Sequence, residues 1–446
     1  MPPSSDAGYA LTRRDKLEEL AGLRSRQPIS RRQFLSDIAR LADRLPARKY
    51  VVNLCTDRYR FMVGFAAALR REQITLMPAN DMAMTLEAIA SDYPDLYALA
   101  ETTSPALPVL RYPETLGPPL ETIDLPALPA EQPAVVLFTS GTTGRPKRTA
   151  KSWGVLVRSA RSAGNRLGIA NFRGGTIIGT VPHQHSYGLE SVILLPLEHG
   201  LAVVAERPFY PADIQAAIEA APRPRILVTT PVHIRALVSE QQAKPEVDLI
   251  LSATAPLTAE LAAKAEECFR APLVEIYGSS ETGQIATRRT VEEAEWRCLD
   301  NVLLQQQDGL PLVAGGAVPS PTLLEDLIEP TGPGTFLLAG RSAELVDVAG
   351  KHTTLSYLNH QLLSIDGVRD GIFVMPDADE RYVKRLMAFV VAPGLRPEAI
   401  LSALRTRIDA AFLPRPLTIV DALPRNSLGK LAREAVLQLV RQSRML

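Results

Sequence analysis

The run T-S-G-T-T-G-R-P-K at positions 139–147 mixes residue types that together can hold an anion. Val135, Val136, Leu137 and Phe138 precede it as the apolar stretch of a buried strand, which places the run in a loop at a strand end. Gly141 and Gly144 admit backbone angles closed to other residues, so successive N–H groups can converge on one ligand. Thr139, Ser140, Thr142 and Thr143 add hydroxyls, and Lys147 adds a full positive charge. Phosphate is the ligand this chemistry suits. The run is not the G-x-x-x-x-G-K-[ST] loop, because only Thr142 and Thr143 separate its glycines and Pro146 precedes the lysine.

A second run, E-I-Y-G-S-S-E-T-G at 275–283, closes another apolar strand pattern. Gly278 and Gly283 permit close backbone approach, Tyr277 offers an aromatic face to a base, and Glu281 is a hard carboxylate suited to Mg²⁺. The rival structural reading has Glu281 simply capping the next helix. Further along stand Gly340 followed by Arg341, then L-P-R-N-S-L-G-K at 423–430; between the first two runs lie P-H-Q-H-S-Y-G at 182–188 and S-A-T-A-P-L at 252–257.

In this order the six segments resemble the adenylate-forming superfamily of acyl-CoA synthetases, aryl-acid ligases and adenylation domains, and the resemblance spans nearly the whole chain. It implies that residues 139–147 hold the triphosphate of ATP and that Thr254, Ala255 and Pro256 line the adenine with Tyr277, Gly278, Ser279 and Ser280. Glu281 would bind Mg²⁺, and Arg341 would contact the ribose. Asp326, in L-L-E-D-L-I-E, is the match for the aspartate that grips both ribose hydroxyls, without the usual T-G-D setting. Lys430 matches the C-terminal lysine that bridges the substrate carboxylate and the ATP phosphate, and His185 falls where the family lines its acyl and thiol channels.

The implied reaction needs these types. A carboxylate attacking a polyanion requires charge neutralisation and in-line positioning, but no general base, because the attacking oxygen is already ionised. The resemblance further implies a swing of the C-terminal domain that withdraws the lysine and admits the thiol of CoA or of a phosphopantetheine carrier protein. Glu344 occupies the hinge, where Asp or Lys is usual; Asp347 and His352 stand where Lys and Arg are frequent. A-G-K-H-T-T-L-S-Y-L-N at 349–359 and F-L-P-R-P-L at 412–417 look most like compact ligases of bacterial aryl-polyene-type pigment pathways, which points to a hydroxybenzoate or hydroxycinnamate type of acid. No charged residue in the pocket-forming stretch 182–283 is expected to demand a particular substituent.

The elements that must position these groups follow from hydrophobic periodicity. Residues 30–45 read as a helix capped by Ser30. Strand patterns at 50–54, 75–77, 176–181, 201–205, 226–229, 249–251 and 273–277 alternate with helical stretches, the pattern of an α/β fold with mainly parallel sheets covered by helices and ligands at the strand carboxyl ends. The Pro-rich stretch 105–133 reads as an irregular surface linker. Short apolar runs over 308–334 suggest a small β-rich subdomain. The expected division is an N-terminal domain over 1–342, for ATP and acid, and a mobile α+β domain over 343–446 carrying Lys430, with strands at 371–375 and 386–391 and helices at 397–411 and 432–441.

Composition bounds the alternatives. Over 446 residues, 49 basic side chains balance 49 acidic ones, so neither nucleic acid nor a membrane surface has electrostatic support as a partner. Cys55, Cys268 and Cys298 are spaced for neither disulfides nor zinc and read as reduced core thiols. The first residues lack a signal-peptide pattern and no apolar run reaches the ~18 residues of a membrane span, so a cytoplasmic enzyme is the expectation. The H-x-H pair of His183 and His185 has no further ligands clustered in sequence, and His199, His233, His352 and His360 read as structural or surface residues. Arg405, Arg407 and Arg415 give the small domain a basic character that suits an acidic carrier protein, and a solvated helix face accounts equally for Arg405 and Arg407. Four questions stay open at this level: a fatty acid as substrate, a nucleotide-binding protein without turnover, CoA against a carrier protein as acceptor, and the oligomeric state.

Overall fold

A computed structural model describes residues 8–12, 16–103, 106–139, 147–240, 242–307, 310–341, 345–348, 351–375, 386–425, 431 and 433–443. Two large sheets organise the first three quarters of the chain. The first has six strands in the order Val109–Arg111, Leu96–Ala100, Tyr50–Asn53, Ile74–Met77, Pro133–Thr139 and Lys147–Ser152; neighbours are parallel except the last pair. The second has eleven strands, with a parallel centre made by Leu273–Ser279, Leu249–Ser252, Arg225–Thr229, Thr176–Gly179, Ala202–Val204 and Leu20–Arg24. Antiparallel strands Gly283–Arg288, Trp296–Cys298, Thr335–Arg341 and Asp326–Gly332 extend one edge. The fold is thus the expected α/β arrangement, and a three-stranded antiparallel sheet, Val302–Gln307, Leu310–Gly315 and Thr322–Leu323, forms the small β-rich part.

Local signals account for the element boundaries. The helix Arg31–Ala42 starts where the Ser30 hydroxyl accepts the Gln33 amide at 3.2 Å, and Arg58–Arg70 starts where Asp57 accepts the Arg60 amide at 3.0 Å. Phe34, Ile38 and Leu41 line the buried face of the first helix at helical spacing. One expectation needs correction. The stretch 105–133 is no mere linker: Val109–Arg111 pairs in parallel with Leu96–Ala100, and Tyr112, Leu116, Leu125 and Leu128 are buried against the first sheet's core. A three-residue strand is too short for alternation to register in sequence.

The two sheets are tied by side chains that cross between them. Arg58, wholly buried, donates through Nη2 to Gly179 O at 2.7 Å and Val181 O at 2.9 Å, and through Nη1 to Glu206 O. Burial pulls its pKa down to about 9, with the charge of Arg207 adding to the effect, so it remains a cation at neutral pH. His183 Nε2 donates to Cys55 O at 2.9 Å, and its ring packs on Phe61 with centroids 4.4 Å apart.

The C-terminal stretch closes its own interior. The helix Leu355–Leu363 and strands Asp370–Val374, Met387–Val391 and Leu417–Ile419 enclose one apolar cluster from Val346 to Phe412, and Val374, Met387, Phe389, Leu423 and Val440 form a second. The expected helix over 397–411 stops earlier, at Arg405, and the following turn is a separate 3₁₀ segment, Ala410–Phe412. Electrostatic influence crosses the boundary with the large sheets: burial lowers Arg235 against the pull of Asp370, with Arg425 adding to the lowering, and burial lowers His360 against Glu260, with Arg288 adding to it.

Replacing Arg58 with Met leaves buried carbonyls without donors. At ~1–3 kcal/mol for each unpaired group, we expect a loss of about 3 kcal/mol or more, read from the urea midpoint of the purified protein. An unshifted midpoint would show that these carbonyls do not depend on the guanidinium.

Candidate active site

The central parallel strands of the second sheet point their carboxyl ends to one edge, and most of the residues nominated from sequence lie along it. Segment 182–188 follows Thr176–Gly179, the turn 253–257 follows Leu249–Ser252, and 277–281 ends Leu273–Ser279. The first sheet contributes Thr139 at the end of Pro133–Thr139 and Lys147 at the start of the next strand; the two are Cα partners. Ser140, Gly141, Thr142, Thr143 and Gly144 lie outside the described residues.

Lys147 and Glu281, one from each sheet, meet. The ammonium stands 2.9 Å from Glu281 Oε1, in a partly exposed pair. Burial works to raise the Glu281 carboxyl, but the Lys147 ammonium, the residue's own amide and Ser279 together hold it below its ordinary value. An ionised, partly accessible oxygen donor results, which suits Mg²⁺.

The turn carrying Glu281 is locked from within. Ser279 N–H donates to Thr282 Oγ1 at 3.0 Å, Thr282 N–H donates back to Ser279 Oγ at 3.2 Å, and the Thr282 hydroxyl donates to Gly283 O at 2.8 Å. Gly278 is required here, since a Cβ would lie 2.0 Å from Gly283 O. The close approach expected of the two glycines is therefore realised. Ser280 sits between Ser279 and Glu281 in the turn itself.

Tyr277 and Asp326 are also brought together. The Tyr277 hydroxyl donates to Asp326 Oδ2 at 2.7 Å, and its ring is fixed by Trp296 and Phe336, with centroids 5.5 and 5.7 Å away. Asp326 is the Cα partner of Arg341 across the antiparallel pair, so the backbone of Arg341 lies beside it. Thr254 has φ +81°, a conformation unfavourable for a β-branched residue, and with Ala255 and Pro256 it forms the turn at the carboxyl end of Leu249–Ser252.

His185 lies at the start of the helix Ser186–Gly188, and its carbonyl accepts the Leu189 amide at 2.7 Å. Tyr187, missed in the sequence reading, is partly buried, and its hydroxyl donates to Thr229 O at 3.2 Å and Leu251 O at 3.1 Å, bridging two strand ends. Lys430 lies outside the described residues, as does Glu344. The flanks of the lysine run are defined: Arg425 and Leu431 form an antiparallel bridge, and Arg425 grips Asp370 through Nε at 2.6 Å and Nη2 at 2.8 Å.

Sequence reasoning also missed a buried ion pair beneath this edge, Lys151 with Glu190, together with the Thr282 lock. Glu190 is a buried charge within 182–283, held by Lys151 and by hydroxyl and amide donors. Its surroundings, L-E-S-V-I-L, gave no periodic cue; the S-x-x-T spacing of Ser279 and Thr282 was the available signal for the lock.

Residues 46–302 match the AMP-binding enzyme family, and residues 360–430 match the AMP-binding enzyme C-terminal domain. The chain is 30% identical to the 4-coumarate–CoA ligase of Rhodobacter capsulatus, over 70% of this chain and 78% of that one. It is 25% identical to a 4-chlorobenzoate–CoA ligase of a Pseudomonas species, over 83% and 76% of the two chains. Among solved structures, the O-succinylbenzoate coenzyme A synthetase of Bacillus subtilis, in complex with ATP and magnesium ion, superposes with a TM-score of 0.78 at 18% identity, covering 94% of this chain and 97% of that one. At that identity the likeness speaks for the fold.

Burial is the leading cause that pushes His183 down to about 3 and His233 down to about 4, from 6.5. Below about 6.5 the unfolded chain therefore binds more protons than the folded one, and stability falls as pH falls toward these lowered values. We expect the unfolding free energy to drop between about pH 7 and pH 5 by roughly 1 kcal/mol per unit for each histidine, and the drop to be shallower in His183→Gln. Equal slopes in both proteins would place the acid sensitivity elsewhere.

Proposed function

The chain belongs to the family of AMP-binding enzymes, and from that premise we propose that the edge described above is where ATP and an aromatic carboxylic acid are joined. It is an AMP-forming acid–thiol ligase that uses ATP and Mg²⁺, makes an acyl-AMP and passes the acyl group to a thiol. The observation that carries the assignment of the site is the Lys147–Glu281 contact, in which two runs distant in sequence and on different sheets supply a phosphate-binding cation and a metal-binding carboxylate to one point.

In this reading the loop 139–147 cradles the triphosphate, and Lys147 turns from Glu281 to the phosphates when nucleotide enters. Bound Mg²⁺ would be held by Glu281 and supply charge neutralisation to the nucleotide. Asp326, oriented by Tyr277, takes the ribose hydroxyls with Arg341, and the strained turn at Thr254, Ala255 and Pro256 borders the base with Gly278, Ser279 and Ser280. The acid's ionised oxygen attacks the α-phosphorus; the new P–O bond forms as the bond to the bridging oxygen breaks, and pyrophosphate leaves with the electron pair. Lys430 neutralises the charge that accumulates between acid and phosphate. A thiolate then adds to the acyl carbon and AMP departs.

Separate apolar clusters beyond Val346 support this division: residues 343–446 act as a body that exchanges Lys430 for the thiol entrance, pivoting near 343–345. His185 borders the acyl channel. An aromatic acid is favoured over a fatty acid because the relatives' names specify 4-coumarate and 4-chlorobenzoate. The same names specify CoA as the acceptor, and a carrier protein docking on exposed Arg405, Arg407 and Arg415 is the second reading.

A pyrophosphate-release panel, followed by mass spectrometry of acyl-CoA and acyl-carrier products, tests both choices. Hydroxycinnamates and hydroxybenzoates should outrun medium- and long-chain fatty acids and appear on CoA; faster aliphatic turnover would overturn the substrate class, and carrier-only product the acceptor. Lys430→Ala should cut acyl-AMP formation by about 10²–10³-fold, with ATP binding nearly unchanged, as expected for loss of one electrostatic stabiliser. Undiminished adenylation would remove the lysine from the chemistry.

A further inference from the structure

Beneath the nucleotide edge, one carboxylate collects four hydrogen bonds from four different segments. Glu190 Oε1 accepts from Lys151 Nζ and Ser186 Oγ, and Oε2 accepts from Ser159 Oγ and the Gln284 amide, at 3.1, 3.1, 3.1 and 3.0 Å. The Lys151 and Glu190 side chains are 2% and 3% exposed. Glu190 itself belongs to a π-helical turn, Leu189–Leu194, a widened geometry that is frequent at functional sites.

A buried ion pair of this kind offers no clear stability gain over apolar groups of the same shape, since desolvation offsets the attraction. Its placement gives it a different use. Lys151 lies four residues beyond Lys147 on the strand Lys147–Ser152, and residues separated by an even number on a strand share a face. Gln284 lies three residues beyond Glu281 on the hairpin that carries the carboxylate. A Cβ built at Gly283, where φ is +71°, would stand 3.2 Å from both Glu190 Oε1 and Lys151 Nζ, so the pair packs directly under the turn. One face of the strand thus presents two lysine–glutamate contacts, an open one at Lys147–Glu281 and a closed one at Lys151–Glu190.

We propose that Glu190 and Lys151 are positioning residues that set the spacing between Lys147 and Glu281, and so the fit of the site to Mg-nucleotide. The inference rests on the reading of Lys147 and Glu281 as phosphate and metal ligands. Glu190 reaches the site through the Gln284 amide and Lys151 through its own strand; neither touches substrate. The acid's binding is not set by this pair.

The experiment compares Glu190→Gln, the apolar double variant Glu190→Leu/Lys151→Met, and the control variants Lys147→Met and Glu281→Gln in full-length protein. For each, the unfolding midpoint, the KM for MgATP, the KM for the acid, the rate of acyl-AMP formation and the Mg²⁺ concentration for half-maximal rate are measured. Glu190→Gln should lower the midpoint, raise the MgATP and Mg²⁺ requirements and slow adenylation by up to about 10²-fold, the scale of an ångström-sized misplacement. The double variant should recover the midpoint yet keep the raised MgATP and Mg²⁺ requirements, with the KM for the acid within about twofold of the parent. Recovery of midpoint and nucleotide kinetics together would make the pair merely structural and overturn the inference. If the controls impair MgATP use and the double variant does not, only the positioning role falls; if the controls do not, the phosphate-site reading falls and this inference with it.

Discussion

A loop on one sheet and a carboxylate on another can share a ligand only if the two sheets are held at a fixed separation, and hydrophobic packing alone is poorly suited to fix it because it is non-directional. In this chain the separation is set by directional contacts. The Arg58 guanidinium, carried by a helix of the first sheet, is bonded to carbonyls at the ends of two second-sheet strands, and His183 returns the contact to Cys55 O. Moving the sheets apart would strand a buried cation and several acceptors at once, a penalty that rises steeply over fractions of an ångström. The position of Lys147 relative to Glu281 inherits that rigidity.

Above this framework the polar groups are graded by exposure. Lys151 and Glu190 are sealed, the carboxylate accepting four hydrogen bonds, whereas Lys147 and Glu281 form a partly solvated contact. Water-accessible ion pairs are weak, so the outer contact breaks at small cost, while the inner one stays made. Tyr277 and Asp326 follow the same logic, with an aromatic ring clamped by Trp296 and Phe336 presenting a hydroxyl that fixes a carboxylate's orientation in advance.

Much of this architecture can be read before any coordinates are consulted, for identifiable reasons. Ser30 announced a helix because a hydroxyl before an apolar periodic run has a specific donor to satisfy, and Gly278 announced a close backbone approach because it has no Cβ. The α/β class followed from strand and helix periods that alternate over long stretches. Tyr277 and Asp326 were nominated separately, by motif, and only the folded chain could show that they touch. Glu190 escaped notice because a charge within an apolar run reads as noise unless its partners are known, and those partners come from four separate segments. Val109–Arg111 escaped because its strand character is supplied by pairing, not by its own three residues.

The C-terminal body keeps both of its apolar clusters to itself, and across its boundary Arg235 lies in the field of Asp370 and Arg425, and His360 in that of Glu260 and Arg288. A body of that kind can change its footing by exchanging ionic neighbours for water without opening its interior. Such an exchange would expose little nonpolar area, and so would carry only a small heat-capacity increment and respond to salt.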